Sequence, residues 1–168
     1  MGTGTPKVSL ALNINIEFKS FDLMANFYGH FGAKRYNHSK FRLERMDNVY
    51  NYGRAALNSW KPDNTETDIP RAVQGDPNEN SRISDRFIEK GDYLRLNNLQ
   101  IGYNFSNELL GKYDINNLRI YVGGSRLFTI TKYSGYDPST GNKVGSMGYD
   151  YAAAPLSRSY MLGIKLSF

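Results

Sequence analysis

A strict two-residue alternation runs from Val8 to Phe18, and it restricts this chain more than any other feature. Val8, Leu10, Leu12, Ile14, Ile16 and Phe18 are apolar, with Ser9, Ala11, Asn13, Asn15 and Glu17 between them. Successive side chains of a strand point to opposite faces, so the segment presents one apolar and one polar face. The pattern restarts after Lys19-Ser20. Phe21, Leu23, Ala25, Phe27, Gly29 and Phe31 share a face, and Asp22, Met24, Asn26, Tyr28 and His30 take the other. The two segments read as an antiparallel hairpin, residues 1–34. Lys-Ser is not the Asn-Gly chemistry that hairpin turns favour, so the turn type is left open.

Alternation is lost between 35 and 91. Leu43, Met46, Tyr50, Gly53 and Leu57 have a loosely helical spacing, which predicts a helix there. Turn chemistry follows in Trp60-Lys61-Pro62-Asp63-Asn64, Asp68-Ile69-Pro70-Arg71 and Gly75-Asp76-Pro77-Asn78. A connection of this length points to function or disorder. Alternation returns over 92–131 as a second hairpin. Leu99, Ile101, Tyr103 and Phe105 share a face, but Leu94 and Leu96 are out of phase with them, which predicts a bulge near Asn97-Asn98. A linker from Ser106 to Asn116 leads to Leu118, Ile120, Val122, Phe128 and Ile130, with Arg126 on the apolar phase. A Gly/Tyr-rich loop covers 132–155, and the last strand, 156–168, alternates through Tyr160, Leu162, Ile164, Leu166 and Phe168.

The reading is all-β: about five strands of about 12 to 14 residues, where globular strands average about 5 to 6. Twelve residues span roughly 40 Å. Tilted by about 45°, they rise roughly 28 Å, near the ~25 Å apolar band of an outer-membrane barrel. Short and long connections alternate along the chain, as periplasmic turns and extracellular loops do. The C-terminus then falls on the periplasmic side. Five strands cannot close a barrel, and open edges cannot stand in lipid. The chain is therefore expected to be a fragment of an antiparallel transmembrane β-barrel, in keeping with a start at Met1-Gly2-Thr3 that lacks signal-peptide character.

No apolar run approaches the ~20 residues of a membrane helix. The chain has no cysteine, so disulfide and thiolate-metal sites are excluded. Its net charge of +5 is scattered over 21 basic and 16 acidic residues without a stripe, which reads as a solvated surface and not as a nucleic-acid footprint.

Several stretches together resemble the C-terminal region of the SusC/RagA family of TonB-linked outer-membrane transporters. They are Phe21-Asp22-Leu23, Trp60-x-Pro62-x-Asn64, Ile69-Pro70-Arg71, the run from Gly91 to Phe105, the run from Leu118 to Pro138, and the terminal Ser159 to Phe168. They cover the chain in the family's order. Arg126-Leu127-Phe128 departs from the family's Asn-Leu-Phe. The resemblance implies import of oligosaccharide or peptide, a SusD-like lipoprotein over the outer loops, and energy from an inner-membrane TonB complex. It also implies that the plug lies outside this chain. Tyr160, Leu162, Ile164, Leu166 and Phe168 look like the terminal signal read by barrel-assembly machinery.

No catalytic set, cofactor or metal site is read from the residues. The two histidines, His30 and His38, have no carboxylate at ligand spacing. Asp76 to Asn80 opens like a calcium loop, but position six is Ser81 and position twelve is Phe87. Asn13, Asn15, Glu17, Asn26, Arg119 and Lys165 are the expected lumen-facing residues. Trp60, Tyr133, Tyr136, Tyr149 and Tyr151 are expected in external loops, as ligand or partner contacts or as loop packing. Tyr103, Phe105 and Tyr160 are candidates for interface girdles. Two other readings stay open: a soluble β-sandwich binding module, and a structural or adhesive surface barrel without transport.

Overall fold

The computed structural model describes residues 2–47, 51–105, 110, 115–140, 145 and 147–168. In chain order the elements are β1 (Val8–Phe18), β2 (Phe21–Phe31), β3 (Lys34–Asn37), α1 (His38–Glu44), β4 (Ile88–Lys90), β5 (Tyr93–Asn104), β6 (Asn117–Thr131), β7 (Tyr149–Asp150) and β8 (Ser159–Ser167). They divide into two units. A sheet unit holds residues 7–31, 92–131 and 156–168, and a loop unit holds 1–6, 32–91 and 132–155.

The sheet unit is an antiparallel sheet of five strands in the order β1-β2-β5-β6-β8. It is open, with β1 and β8 at its edges. Paired residues of neighbouring strands share a face, and the register aligns like with like. Ile16, Leu23, Ile101, Val122 and Leu162 form one apolar rung across all five strands. Asn13, Asn26, Asn98, Ser125 and Ser159 form a polar rung on the opposite face. A one-residue slip at any pairing would exchange the two faces.

The phase break in β5 is a bulge. Asn26 faces Asn98 while Phe27 faces Leu96, so Asn97 is an extra residue. It returns Leu94 and Leu96 to the face of Leu99 and Ile101. β6 answers with two residues, Arg126 and Leu127, between Ser125 and Phe128. This accounts for the misplaced arginine. Arg126 adopts φ 55°, the left-handed region, and its Nε donates to the Ser157 carbonyl at 2.7 Å. The β1–β2 turn places Lys19 at φ 54°. Phe31, Tyr93 and Thr131 stand at one end of the sheet, where both long segments leave it.

The loop unit has a small sheet of order β4-β3-β7, with β3–β4 antiparallel and β3–β7 parallel. Its ladders are two or three pairs long, too short to give a readable alternation. The core gathers Ala33, Tyr36, Met46, Phe87 and Tyr133, all buried. Tyr36, Phe41 and Phe87 pack ring against ring, with centroids 5.2–6.4 Å apart.

The helix expected over Leu43–Leu57 is corrected. α1 starts earlier, where the Asn37 side chain caps it by accepting from the Lys40 N–H at 2.9 Å. It ends before Met46, whose φ of 59° breaks the helical path. A separate 3₁₀ turn spans Arg54–Asn58. Tyr50, most of the 106–116 linker and Gly141 lie outside the described residues.

Candidate functional site

The polar face of the sheet is built as a hydrogen-bonded surface. Asp22 of β2 and Arg119 of β6 reach each other across β5. Arg119 Nε donates to Asp22 Oδ1 at 2.9 Å, and Nη2 donates to Oδ2. Asn104 Nδ2 adds a bond to Asp22 Oδ1 at 2.9 Å, and the guanidinium lies 4.9 Å from the centre of the Tyr121 ring. The bridge needs Gly102 beneath it, since a Cβ there would stand 2.5 Å from Asp22 Oδ1 and 2.6 Å from Arg119 Nε. Gly163 plays the same part under the Tyr121 ring. Further along the face, Asn26 donates to Asn13, Ser125 donates to Asn98 at 3.0 Å, and Arg95 donates to Thr129 at 2.8 Å. Both nitrogens of His30 are engaged, by Ser9 and Tyr28 at 2.8 Å each.

Asn13, Asn15, Glu17, Asn26, Arg119 and Lys165 all fall on this face by register, paired respectively with Asn26, Met24, Asp22, Asn13 and Asn98, Asn104 and Lys165, and Arg119. Sequence reading missed Asp22 as the partner of Arg119. The two are 97 residues apart, and only the order β2-β5-β6 brings them together. Tyr160, Leu162, Ile164 and Leu166 lie on the apolar face and are exposed, as is Phe168. Phe21, Tyr103 and Phe105 pack edge to face in series, each step with centroids 4.9 Å apart.

In the loop unit the five expected contact aromatics separate. Tyr136 is 70% exposed, and Trp60, Tyr149 and Tyr151 are partly to largely exposed. Tyr149 and Tyr151 stack with centroids 5.6 Å apart, and His38 lies 5.3 Å from Tyr151. Burial, and then Arg42 and Arg45, lower the pKa of His38. Tyr133 takes the second of the two roles left open for it, loop packing. It is buried, and its hydroxyl donates to the buried Asp150 carboxylate at 2.7 Å, so it packs the loops. Burial and then that bond to Asp150 push its pKa up. Glu89 accepts from the Ser134 N–H at 2.9 Å and its hydroxyl at 2.7 Å, and pairs with Lys40 at 3.4 Å.

The Asp76 carboxylate is used by the backbone. It accepts from the N–H groups of Asn80 and Ser81 at 2.9 and 2.7 Å, which makes the segment a turn. Among the described residues no group of three or more His, Asp or Glu is arranged to hold a metal ion. Trp60 borders a cleft together with Ile69, Arg71 and Arg86, and three of these four belong to the Trp60-x-Pro62-x-Asn64 and Ile69-Pro70-Arg71 stretches.

No protein-family model matches the chain. Among curated proteins it is 31% identical to the TonB-dependent receptor P3 of Formosa agariphila, over its whole length and 17% of that receptor. It is 26% identical to the TonB-dependent receptor SusC of Bacteroides thetaiotaomicron, over 96% of the chain and 15% of SusC. Among solved structures it superposes on the RagAB peptide transporter with a TM-score of 0.86 and 29% identity, covering 99% of this chain and 18% of that one. These relatives are named as receptors and transporters. The chain spans about a sixth of the length of the curated relatives it matches. It belongs to the SusC/RagA family of TonB-dependent receptors, as a segment of such a receptor.

Proposed function

We propose that the chain forms wall strands and external loops in the C-terminal part of an outer-membrane β-barrel importer. The importer would be driven by a TonB complex and served by a SusD-like lipoprotein, with oligosaccharide or peptide as its cargo. The observation that carries this reading is the apolar face. Leu12, Ile101, Val122 and Leu162, from four different strands, are 56, 41, 55 and 77% exposed. Withdrawing such a side chain from water is worth about 1.5–3 kcal/mol. A sheet that leaves such side chains uncovered on four of its five strands is suited to lipid on that side. The opposite face supplies the hydrogen-bonding groups expected of a wet lumen.

Strand length supports the same reading. Eleven residues of β1 or β2 reach about 36 Å and rise about 26 Å when tilted by 45°. In lipid every backbone group needs a partner, so β1 and β8 would each take a neighbouring strand from the rest of the receptor. A soluble sandwich would need a second sheet over Leu12, Ile101 and Leu162, and none of the described residues supplies it. An adhesive barrel is disfavoured by relatives named as receptors and as a transporter.

The test uses the full-length receptor. Tagged and expressed in its host, it is expected in the outer-membrane fraction, with ligand uptake abolished when TonB is inactivated. Recovery in the soluble fraction, or uptake indifferent to TonB, would overturn the reading.

A further inference from the structure

β8 stops short of the strand beside it. Its pairing with β6 ends at Ser125↔Ser159, while β6 goes on through Arg126–Thr131, held by β5 as far as Thr131↔Tyr93. Among the described residues no strand covers the β8 side of β6 over that stretch. The chain entering β8 meets its foot, where Arg126 Nε donates to the Ser157 carbonyl at 2.7 Å. Two arginines, Arg126 and Arg158, therefore stand at the end of β8. Phe128, Ile130 and Leu156 near them are exposed, as are Tyr160 and Leu162 along β8.

The two charges are unanswered. Among the described residues Arg158 makes no side-chain bond, and Arg126 makes only the one to Ser157. No carboxylate of the sheet is at hand. The described acids of the sheet unit are Glu17, Asp22 and Asp92. Glu17 and Asp22 face each other beside the β1–β2 turn, at the far end of the sheet, and Asp22 is taken by Arg119. Asp92 precedes β5 and lies by Thr131, five residues on from Arg126.

In the proposed barrel the apolar face lies in lipid and Phe168 marks its periplasmic edge. Arg158 stands ten residues before Phe168. At a 45° tilt that is a rise of about 23 Å, which brings the arginines to the outer rim of the ~25 Å apolar band. An arginine is costly at the bilayer midplane but tolerated near the interface. A guanidinium there that lacks a carboxylate partner matches a phosphate, which it can hold through two parallel bonds. The exposed side chains along β8 match acyl chains. A soluble anion would answer the arginines and leave those side chains uncovered, and an uncharged lipid would do the reverse. We propose that the β6–β8 junction holds a phosphorylated lipid of the outer leaflet, with Arg126 and Arg158 on its phosphate and Tyr160 and Leu162 along its chains. This rests on the membrane placement in the importer reading.

The experiment measures lipid binding to the purified full-length receptor in detergent by native mass spectrometry. The probes are bisphosphorylated lipid A, the same lipid with its phosphates removed, and inorganic phosphate as a competitor. Arg126→Asn supplies a residue that tolerates the left-handed region, and Arg158→Gln removes a side chain that makes no bond among the described residues. The R126N/R158Q variant is therefore expected to keep the heat-modifiable folded form. Lys165→Gln, on the polar face by its pairing with Arg119, is the control. Lipid A is expected to bind, to lose about tenfold or more in affinity in R126N/R158Q, and to bind Lys165→Gln unchanged. The dephosphorylated lipid is expected to bind about tenfold or more weakly than lipid A, and millimolar inorganic phosphate to leave lipid A in place. Four results overturn the proposal: lipid A affinity unchanged in R126N/R158Q, an equal loss in Lys165→Gln, equal binding of the dephosphorylated lipid, or displacement by inorganic phosphate, which would make this a site for a free anion. Should the double variant not fold, Arg158→Gln alone is expected to weaken lipid A binding about threefold or more, and no loss there overturns the proposal too. Failure of the importer reading is separately visible, as uptake indifferent to TonB while the purified receptor still binds lipid A.

Discussion

Replacing Leu12 with arginine tests the assignment of the two faces, with Asn13→Arg as its control. The positions are adjacent and differ only in face. Leu12 pairs with Phe27 on the apolar side and Asn13 pairs with Asn26 on the polar side. Both lie at the middle of β1, which runs Val8–Phe18, so in the proposed barrel both would stand near the bilayer midplane. An arginine facing lipid at that depth costs about 2–4 kcal/mol, which lowers the folded-to-unfolded ratio by roughly 30- to 800-fold. An arginine facing the lumen costs less than about 1 kcal/mol. In a soluble sheet Leu12, being 56% exposed, would tolerate the change within about 0.5 kcal/mol. The assay is denaturant unfolding of the full-length receptor in lipid vesicles, followed by the heat-modifiable shift on gels. Leu12→Arg is expected to lower the unfolding midpoint clearly and Asn13→Arg barely. Equal small effects, or the reverse order, would refute the assignment.

Three further outcomes are expected. Gly163→Ala drives a Cβ into the Tyr121 ring and should destabilise the sheet by about 1–3 kcal/mol, with Tyr121→Ala restoring part of it in a double-mutant cycle. Tyr133→Phe takes the hydroxyl from the buried Asp150 carboxylate and should cost about 1–3 kcal/mol, read as faster proteolysis of segment 132–155. Burial pushes the Glu89 pKa up, but the Ser134 N–H and hydroxyl and then Lys40 outweigh it and hold the carboxyl below its ordinary 4.5. A group depressed in the folded state contributes stability above its ordinary pKa and loses it as pH falls through the folded value. Loop proteolysis should therefore accelerate as pH drops below about 4.5, and Glu89→Gln should flatten that dependence.

The long strands were legible because one period governs them from end to end. Val8–Phe18 and Phe21–Phe31 needed nothing beyond side-chain direction. The bulge at Asn97 was legible too, since Leu94 and Leu96 could rejoin the apolar face only through an extra residue. Arg126 was not, because its two-residue insertion answers a bulge on the neighbouring strand, and the pairing of β5 with β6 is a tertiary fact. The same holds for β3, β4 and β7, whose ladders of two or three pairs carry no period of their own. The helix was displaced because its capping signal, Asn37, lies upstream of the apolar spacing that suggested it. Of the candidate site, the polar-face residues could be read by phase. The Asp22–Arg119 bridge could not, because it joins residues 97 apart through folding alone.

The most direct test of the central claim is a site-directed spin-label scan of β8, residues 159–167, in the full-length receptor reconstituted in lipid. No native cysteine of this chain interferes, since it has none. The account predicts a two-residue period. Labels at 160, 162, 164 and 166 should be relaxed by lipid-dissolved oxygen, and labels at 159, 161, 163, 165 and 167 by a water-soluble nickel complex. A strand equally open to the nickel complex at every position, or with the phases reversed, would contradict it.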